Sequence, residues 1–505
     1  MDRPNVIFIM ADQMRATASH LYRDGACRTP SLAALAERGV LYRLAFTPHP
    51  LCVPARTSIM ASRYPHSTGA RRNETLMPEG VNHAFRIWKR EGFTTGLIGK
   101  NHCFDRPEDL ELFDVYCELT HRGRPAENPG TRGMEWVRPV EAIDAAHAVR
   151  REMPRQSPRI SYAVTDFPEE DYGTSLIADQ TVRFIEERGS EPFALWVSFH
   201  DPHEPFEVPR RYAEMFPPDE IELPPWKADE FGESAPERNR ILNRILDITQ
   251  DDEADVRGVI STYYAMTRFV DDGVGKILHA LDKHGLRENT IVVFTADHGD
   301  FMGEHGMLVK GGVFYDCLTR VPLIVSWPAG GVSGRVDESL VNTVDILPTL
   351  LSLQGIEAPR EMQGAPLPTI TDASPRDEAF SEYGAGGPAY TMADLELLEE
   401  PYGYATLIES LWAREAEGRR KMVRTRDWKY VHDPMGDLDE LYDLVDDPWE
   451  QANVAADPDN SEVIANMRRR LAGWMIRTED PSPVPLPEQI GPPHSHRTAD
   501  KGTPR

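Results

Sequence analysis

The sequence predicts an α/β fold in which a mostly parallel sheet is flanked by helices, and three observations support this class. Short apolar runs rich in β-branched and aromatic residues recur along the chain. Segments of helical length and pattern lie between these runs. Polar residues follow the runs at the points where strands would end. Unbroken apolar runs suit strands that are buried on both faces, as in parallel sheets.

Strands and helices are predicted in alternation along the chain. The predicted strands cover residues 5–10, 94–99, 193–199, 290–296 and 321–327. The predicted helices cover residues 31–39, 178–189 and 256–285. Two of these helices stop at a glycine that follows a basic residue, which is typical of helix C-termini.

The length of 505 residues predicts more than one structural unit. We expect a catalytic α/β domain over residues 1–370 and a smaller C-terminal α+β unit over 371–480. Within the smaller unit, 421–433 and 440–444 resemble antiparallel strands, and 467–475 belongs to a helix. Residues 481–505 are rich in proline and predict an extended tail. Such a tail can reach a partner subunit, so we expect a homo-oligomer.

Charge and composition limit the class of partner. The net charge of −27 argues against nucleic acid, although a small anion can bind in a locally positive pocket. The apolar run at the N-terminus is too short for a signal peptide, and no stretch approaches the roughly 18 to 20 apolar residues of a membrane span. The five cysteines have no metal-type spacing. We therefore expect a cytoplasmic protein without disulfides.

Polar clusters directly follow four of the predicted strands. They are Asp12-Gln13, Lys100-Asn101-His102, His200-Asp201-Pro202-His203 and Asp297-His298-Gly299-Asp300. Because ligands of doubly wound sheets bind beyond the carboxyl ends of the strands, these clusters can converge on one site.

The residue types in these clusters suit a metal and an anion. Asp12, Asp297 and His298 form a set that can bind a divalent cation, although an aspartate in the position of Asp12 is also a common helix N-cap. Lys100, His102, His203 and Lys310 would add positive charge and groups that transfer protons. Taken singly, each of these four is more typical of a surface lysine or a hydrogen-bonded loop histidine than of a catalytic group.

Cys52 lies in the stretch LCVPARTSIMASRYPHSTG at residues 51–69. A core thiol, a redox group, a metal ligand and a catalytic residue are all open interpretations of a lone cysteine. The three residues between Cys52 and Arg56 are too few for the loop of thiolate phosphatases. Arg56 stays charged at ordinary pH, so it needs an anion or a strongly polar neighbour if it is buried.

The segment C-V-P-A-R, followed by T-S-I-M-A-S-R-Y-P-H-S-T-G, resembles the signature of the sulfatases, a family of the alkaline phosphatase superfamily. Further motifs occur in the family's order: G-K-x-H at 99–102, H-x-P at 203–205, D-H-G at 297–299, and a C-terminal R-x-x-K-Y strand followed by E-L-Y-D-L. The resemblance thus covers most of the chain. It implies an alkaline-phosphatase-like sheet with a smaller C-terminal domain that contains an antiparallel sheet.

The resemblance also implies a cofactor set. A sulfatase-maturation enzyme, such as a formylglycine-generating enzyme, would oxidise Cys52 to formylglycine, whose hydrate provides the nucleophilic oxygen. One divalent ion, Ca²⁺ or Mn²⁺, would be held by Asp12, Asp297, His298 and residue 52. Gln13 would contact the substrate or be a further ligand. The implied reaction is hydrolysis of a small sulfate monoester.

Roles for the remaining residues follow from the same resemblance. Lys100 or Lys310 would neutralise the sulfate oxygens, and Arg56 would orient the hydrated aldehyde. His203 or Lys310 would protonate the leaving alcohol. His102 would take the proton from the second hydroxyl, and Asn73 would contact the substrate.

Two departures from the common sulfatase pattern leave alternatives open. Gln13 stands where many sulfatases have a second aspartate, and Asp297-His298 stands where some have Asp-Asn. Both are similar to choline-sulfatase-like proteins and to phosphonate monoester hydrolases, so a phosphonate monoester or phosphodiester hydrolase is one alternative. Val53 replaces the glycine of the phosphonate hydrolases and favours sulfate. A relative that binds without catalysis is the second alternative.

Overall fold

A computed structural model describes residues 3–120, 123–127, 130–151, 162–227, 229–249, 253–388, 391–397, 418–436 and 438–479. The predicted tail, residues 481–505, lies outside the described residues. No helix within the described ranges is long and apolar enough to span a membrane.

The described residues contain fourteen strands. In chain order they are β1 Asn5–Ala11, β2 Val40–Phe46, β3 Thr94–Gly99, β4 Val115–Glu118, β5 Tyr162–Thr165, β6 Phe193–Phe199, β7 Phe206–Pro209, β8 Thr290–Ala296, β9 Leu323–Ser326, β10 Arg335–Asn342, β11 Ala379–Tyr383, β12 Arg420–Arg424, β13 Trp428–His432 and β14 Glu440–Asp443.

The α-helices of the same residues are numbered in the same way. They are α1 Pro30–Glu37, α2 Cys52–Ala61, α3 Pro65–Thr68, α4 Ala84–Arg90, α5 Pro107–Leu110, α6 Val140–Arg151, α7 Gly173–Arg188, α8 Arg210–Ala213, α9 Glu237–Leu246, α10 Glu253–Lys283, α11 Asp316–Thr319, α12 Ile346–Leu353, α13 Met392–Leu395 and α14 Ser461–Arg477.

The central sheet has eight strands in the order β10-β2-β9-β8-β1-β6-β3-β4. Every neighbouring pair is parallel except the two pairs made by β9, which runs antiparallel to β2 and β8. The prediction of a mostly parallel sheet flanked by helices is confirmed.

Strand β1 shows why these runs are apolar throughout. Ile7 and Ile9 belong to the hydrophobic core on one face of the sheet, which also contains residues of α7 and α10. Val6 and Phe8 belong to the core on the other face, with residues of α4 and α12. Because successive side chains point to opposite faces, a strand covered on both sides needs apolar residues at every position.

The C-terminal sheet has four antiparallel strands in the order β11-β12-β13-β14. Helix α14 packs on it through Met467, Leu471 and Trp474, which share a core with Phe380 and Tyr430. The predicted strands and helix of this unit are confirmed, whereas β11 is an element that we did not predict. Glu382 near its end is buried and hydrogen-bonded to His66, so this sheet also covers the region of α2 and α3.

Candidate active site

Four adjacent parallel strands deliver the predicted site residues to one edge of the central sheet. β8, β1, β6 and β3 are neighbours in that order. Asp297 follows β8, Asp12 follows β1 and Lys100 follows β3. The carboxyl ends of parallel strands share an edge, so these residues, which are distant in sequence, become neighbours.

Cys52 is the first residue of α2, a helix that is buried along its whole length. The residue before it, Leu51, provides no side-chain cap. The oxygen of the Asn73 side chain instead accepts a hydrogen bond from the Val53 N–H at 3.1 Å. Asn73 therefore satisfies one of the free N–H groups of the helix N-terminus and fixes the start of α2 beside the reactive position.

A buried cluster of four side chains could hold a metal ion. It consists of Asp12, Cys52, Asp297 and His298, and each side chain offers one ligand atom that lies within 4.8 Å of the ligand atoms of the other three. The Nδ1 atom of His298 is 2.9 Å from the carbonyl oxygen of Gly299, so it carries the proton and donates it. The Nε2 lone pair is then free to face the cluster, where it lies 3.1 Å from the Cys52 sulfur. Two carboxylates and one imidazole nitrogen fit a small divalent cation.

Arg56 and Lys100 surround the two carboxylates. The Arg56 Nε atom donates to Asp297 at 2.8 Å, and its Nη2 lies 3.7 Å from Asp12. Lys100 forms a close ion pair with Asp12. Burial alone would raise the pKa of Asp12, but Lys100, Arg56 and Lys310 together hold that pKa well below its usual value. Asp12 is therefore a carboxylate at any working pH and is available to a metal.

Lys310 reaches the reactive position from the loop after β8. Its Nζ lies 3.3 Å from the Cys52 sulfur, 2.7 Å from the Gln13 side-chain oxygen and 2.9 Å from His203 Nε2. The Nδ1 atom of His203 donates to the carbonyl oxygen of Glu204 at 2.7 Å, so Nε2 accepts from Lys310. Burial, and then the nearby Lys310 and Lys100, hold the pKa of His203 well below its usual value. The imidazole is therefore neutral and Lys310 carries the proton.

Gln13 connects this group to two further carboxyl groups. Its backbone has a left-handed φ of 63°, an uncommon conformation for a non-glycine residue. In this conformation its N–H donates to Asp297 at 3.0 Å, while its side-chain NH₂ donates to Glu204 and Asp300. Burial raises the pKa of Asp300 to about 7. Both carboxyl groups accept from the amide nitrogen, so the amide oxygen is directed to Lys310.

The site has a surplus of positive charge. Arg56, Lys100 and Lys310 bring three cations, and within the described part of the chain the carboxylates in direct contact with them are those of Asp12 and Asp297. All five side chains are buried, so their charges are little screened by water. A divalent ion would add to this surplus. The arrangement can hold an anion against residue 52.

Most of the predicted site residues are thus brought together. One connected network of hydrogen bonds and ion pairs joins nine of them, and Asn73 contacts its edge. The nine are Asp12, Gln13, Cys52, Arg56, Lys100, His203, Asp297, His298 and Lys310. His102 lies two residues beyond Lys100, half-buried, with a left-handed φ of 49°. Its role as a base stays a prediction.

The network has three further partners: Ser198 and Glu204 were not predicted as site residues, and Asp300 was predicted only as part of the polar cluster after β8. Ser198 on β6 accepts from Arg56 Nη1 at 2.9 Å, and Glu204 and Asp300 fix Gln13. The sequence carried only weak signals for them. Glu204 is the middle residue of H-x-P, Asp300 directly follows D-H-G, and Ser198 is a polar residue within an apolar strand.

Comparisons with known proteins agree with this geometry. The family model for sulfatases matches residues 4–356. The choline-sulfatase of Rhizobium meliloti is 27% identical over 95% of this chain and 88% of its own length. The arylsulfatase of Clostridium perfringens is 25% identical over 93% of this chain and 94% of its own length.

A solved structure gives the same fold. The phosphonate monoester hydrolase of Agrobacterium radiobacter superposes with a TM-score of 0.76 at 25% identity, covering 95% of this chain and 96% of that one. With a family model that covers most of the chain and a fold that agrees with it, the chain belongs to the sulfatase family.

Proposed function

We propose that this protein is a metal-dependent sulfuric ester hydrolase that cleaves a small sulfate monoester at an aldehyde made from Cys52. The observation that carries the proposal is the position of Cys52. It stands at the N-terminus of a buried helix, in contact with His298 and Lys310 and next to Asp12. A thiol needs no such surroundings to pack in a core.

Formylglycine at residue 52 and a bound Ca²⁺ or Mn²⁺ would supply the nucleophilic oxygen and a Lewis acid. Asp12, Asp297 and His298 are the residues of the chain that would hold the metal, with Gln13 next to them. Lys100 and Lys310 would hold the sulfate oxygens by charge. Arg56 keeps Asp297 oriented through the hydrogen bond at 2.8 Å and adds positive charge where negative charge develops.

Protonation of the leaving alcohol is assigned to Lys310. Its three N–H groups already point at three partners, one of which is residue 52. His203 accepts one of these hydrogen bonds and so orients the ammonium group. We also propose that a sulfatase-maturation enzyme is the partner that converts Cys52, and that the protein works in the cytoplasm as a homo-oligomer.

The test is a panel of sulfate esters assayed with enzyme that has been produced together with a maturation enzyme and loaded with metal. We expect hydrolysis of aryl sulfates that is lost in Cys52→Ala and in Cys52→Ser. A serine hydroxyl could attack sulfur, but it would leave a covalent ester with no aldehyde to reform. Full activity of Cys52→Ser would contradict the proposal.

A second candidate, hydrolysis of phosphonate monoesters or phosphodiesters, is favoured by the structural similarity to the Agrobacterium enzyme. Gln13 in place of a second aspartate points in the same direction. Val53, which follows Cys52, favours sulfate. The ratio of kcat/KM for 4-nitrophenyl sulfate to that for 4-nitrophenyl phenylphosphonate, measured on one preparation, separates the two candidates.

A further inference from the structure

The segment that carries Lys310, residues 310–316, runs from the active site to the C-terminal sheet, and we call it the Lys310 segment. The Lys310 ammonium group at its start lies 3.3 Å from the Cys52 sulfur. The chain then passes through Gly311 and Gly312, and glycine has more backbone freedom than any other residue type. The position of the ammonium group therefore depends on what the rest of the segment contacts.

The backbone directly before the Lys310 segment is strained. Val309 has a left-handed φ of 68°, a rare conformation for a residue that is branched at Cβ. Its N–H donates to the Asp300 carboxyl group at 3.0 Å, and its carbonyl oxygen accepts from the Phe301 N–H at 2.9 Å. Such a conformation persists only where surrounding contacts hold it. Losing a contact further along the segment would let the backbone at Val309 relax and move Lys310.

The far end of the segment is held by Lys429, a residue of β13. Its side chain is fully buried, and its Nζ donates to the Phe314 carbonyl oxygen at 2.7 Å. The same ammonium group pairs with the carboxylates of Asp316 at 2.6 Å and Glu450 at 2.5 Å. Glu450 also accepts a hydrogen bond from the Asp316 N–H at 2.5 Å. One buried cation thus connects the groups that fix residues 314–316.

Apolar packing joins the same part of the segment to the reactive position. Phe314 and Leu51, the residue before the reactive cysteine, share a hydrophobic core with the C-terminal sheet. Tyr383 belongs to this core and closes the space beside Gly312, where a Cβ atom would lie 2.3 Å from a ring carbon. The C-terminal sheet therefore supports both the start of α2 and the segment that brings Lys310 to it.

We infer that Lys429 is a positioning residue of the reaction, which acts through the backbone of residues 310–316 and keeps the Lys310 ammonium group at the leaving-group oxygen. This inference rests on the proposed function, in which Lys310 protonates the leaving alcohol, and it extends that site to the C-terminal sheet. A purely structural ion pair would affect all substrates alike. A misplaced acid affects those whose leaving group needs a proton.

The test compares two esters whose leaving groups differ in basicity, 4-nitrophenyl sulfate and 2-phenylethyl sulfate, on mature, metal-loaded enzyme. In Lys429→Met, kcat/KM for the alkyl ester should fall by about 10- to 100-fold more than that for the aryl ester, because a displacement of about 1 Å can cost about 10²-fold. The loss should be mainly in kcat, with the metal content unchanged. Lys429→Arg retains a cation at this position and should restore part of the difference.

A second variant covers the case in which Lys429→Met fails to fold. The single substitution leaves Asp316 and Glu450 without the cation between them, which works against folding. Lys429→Met combined with Glu450→Gln removes one negative charge as well, and Arg424 still pairs with Asp316 at 3.3 Å. We expect the same selective loss on the alkyl ester. Equal losses on both esters in this double variant overturn the inference.

Arg287→Met is the matched control. Arg287 is another buried cation, and its side chain donates to the Ser326 hydroxyl at 2.8 Å. It lies directly before β8, at the opposite end of that strand from Asp297. Its loss should lower stability without touching the Lys310 segment, so the ratio of kcat/KM for the two esters should stay at the wild-type value. A ratio that changes as much as in Lys429→Met overturns the inference.

Failure of the proposed function is distinguished by hydrogen exchange, which needs no turnover. Mass spectrometry of the peptide that covers residues 310–316 should show faster exchange in both Lys429 variants than in the wild type and Arg287→Met. Faster exchange supports the anchoring of the Lys310 segment by Lys429 even if sulfate esters are not hydrolysed. Unchanged exchange in both Lys429 variants contradicts the inference.

Discussion

Replacing Lys310 by methionine should slow the hydrolysis of esters with poor leaving groups far more than that of esters with good ones. An alkoxide is strongly basic and needs a proton as the ester bond breaks, whereas a nitrophenolate leaves with little protonation. General acid catalysis contributes about 10²–10⁴-fold. We therefore expect kcat/KM for an alkyl sulfate to fall by about this factor more than kcat/KM for an aryl sulfate.

Two features of the structure favour Lys310 over His203 as the proposed source of this proton. His203 Nδ1 donates to the Glu204 carbonyl oxygen, and its Nε2 accepts from Lys310 at 2.9 Å. Since burial and two neighbouring lysines keep the pKa of His203 low, the imidazole has no proton to give through Nε2. In His203→Gln the side-chain oxygen can still accept from Lys310, so losses on the alkyl and aryl esters should be similar.

The assay measures kcat/KM for both esters in the wild type, Lys310→Met and His203→Gln, with the metal content of each protein determined alongside. Equal losses on the two esters in Lys310→Met would refute the assignment of Lys310 as the acid. A selective loss on the alkyl ester in His203→Gln alone would move that role to His203.

Three further predictions concern the metal, the pH dependence of stability and the tail. Asp12→Ala and Asp297→Ala should each lose bound metal as well as activity, because each removes an anionic oxygen ligand, and unchanged metal content in both would place the cation elsewhere. Burial raises the pKa of the Asp271 carboxyl group to about 6 in the folded protein. The stability that the neutral carboxyl group contributes is therefore full below the pKa that Asp271 has in the unfolded chain, and it is lost as the pH rises to about 6. Between these two pKa values, the unfolding free energy of the wild type should therefore fall relative to that of Asp271→Asn by about 1.4 kcal/mol per pH unit. A difference between the two proteins that stays constant with pH would contradict this. A chain that ends at Asp480 should form a smaller assembly in light scattering if the tail joins subunits, and an unchanged mass would remove the tail from the interface.

The sequence predicted five of the eight strands of the central sheet and the residues at their ends, because both leave local signals. A strand buried on two faces is apolar throughout, and the residue that follows it is at the ligand-binding edge whatever the strand order is. The convergence of Asp12, Lys100 and Asp297 could therefore be expected. Strand β2 was not predicted, since Arg43 interrupts its apolar run, and β11 was missed because AFSEY is short and lies in an acidic region.

The contacts that refine the site depend on geometry that no local pattern encodes. The left-handed backbone of Gln13 sets which neighbours its amide reaches, and that amide links Glu204 and Asp300 to Lys310. The hydrogen bonds between His66 and Glu382 require the C-terminal sheet to pack beside α3. Long-range packing of this kind is set by the whole core rather than by any one segment.

The most direct test of the account is the mass of the peptide that contains residue 52, measured on protein whose activity is known. In active enzyme produced together with a maturation enzyme, we predict a peptide with the mass of the aldehyde, and a fraction of aldehyde that rises in proportion to the specific activity. A fully active preparation in which this peptide retains the mass of unmodified cysteine would contradict the account.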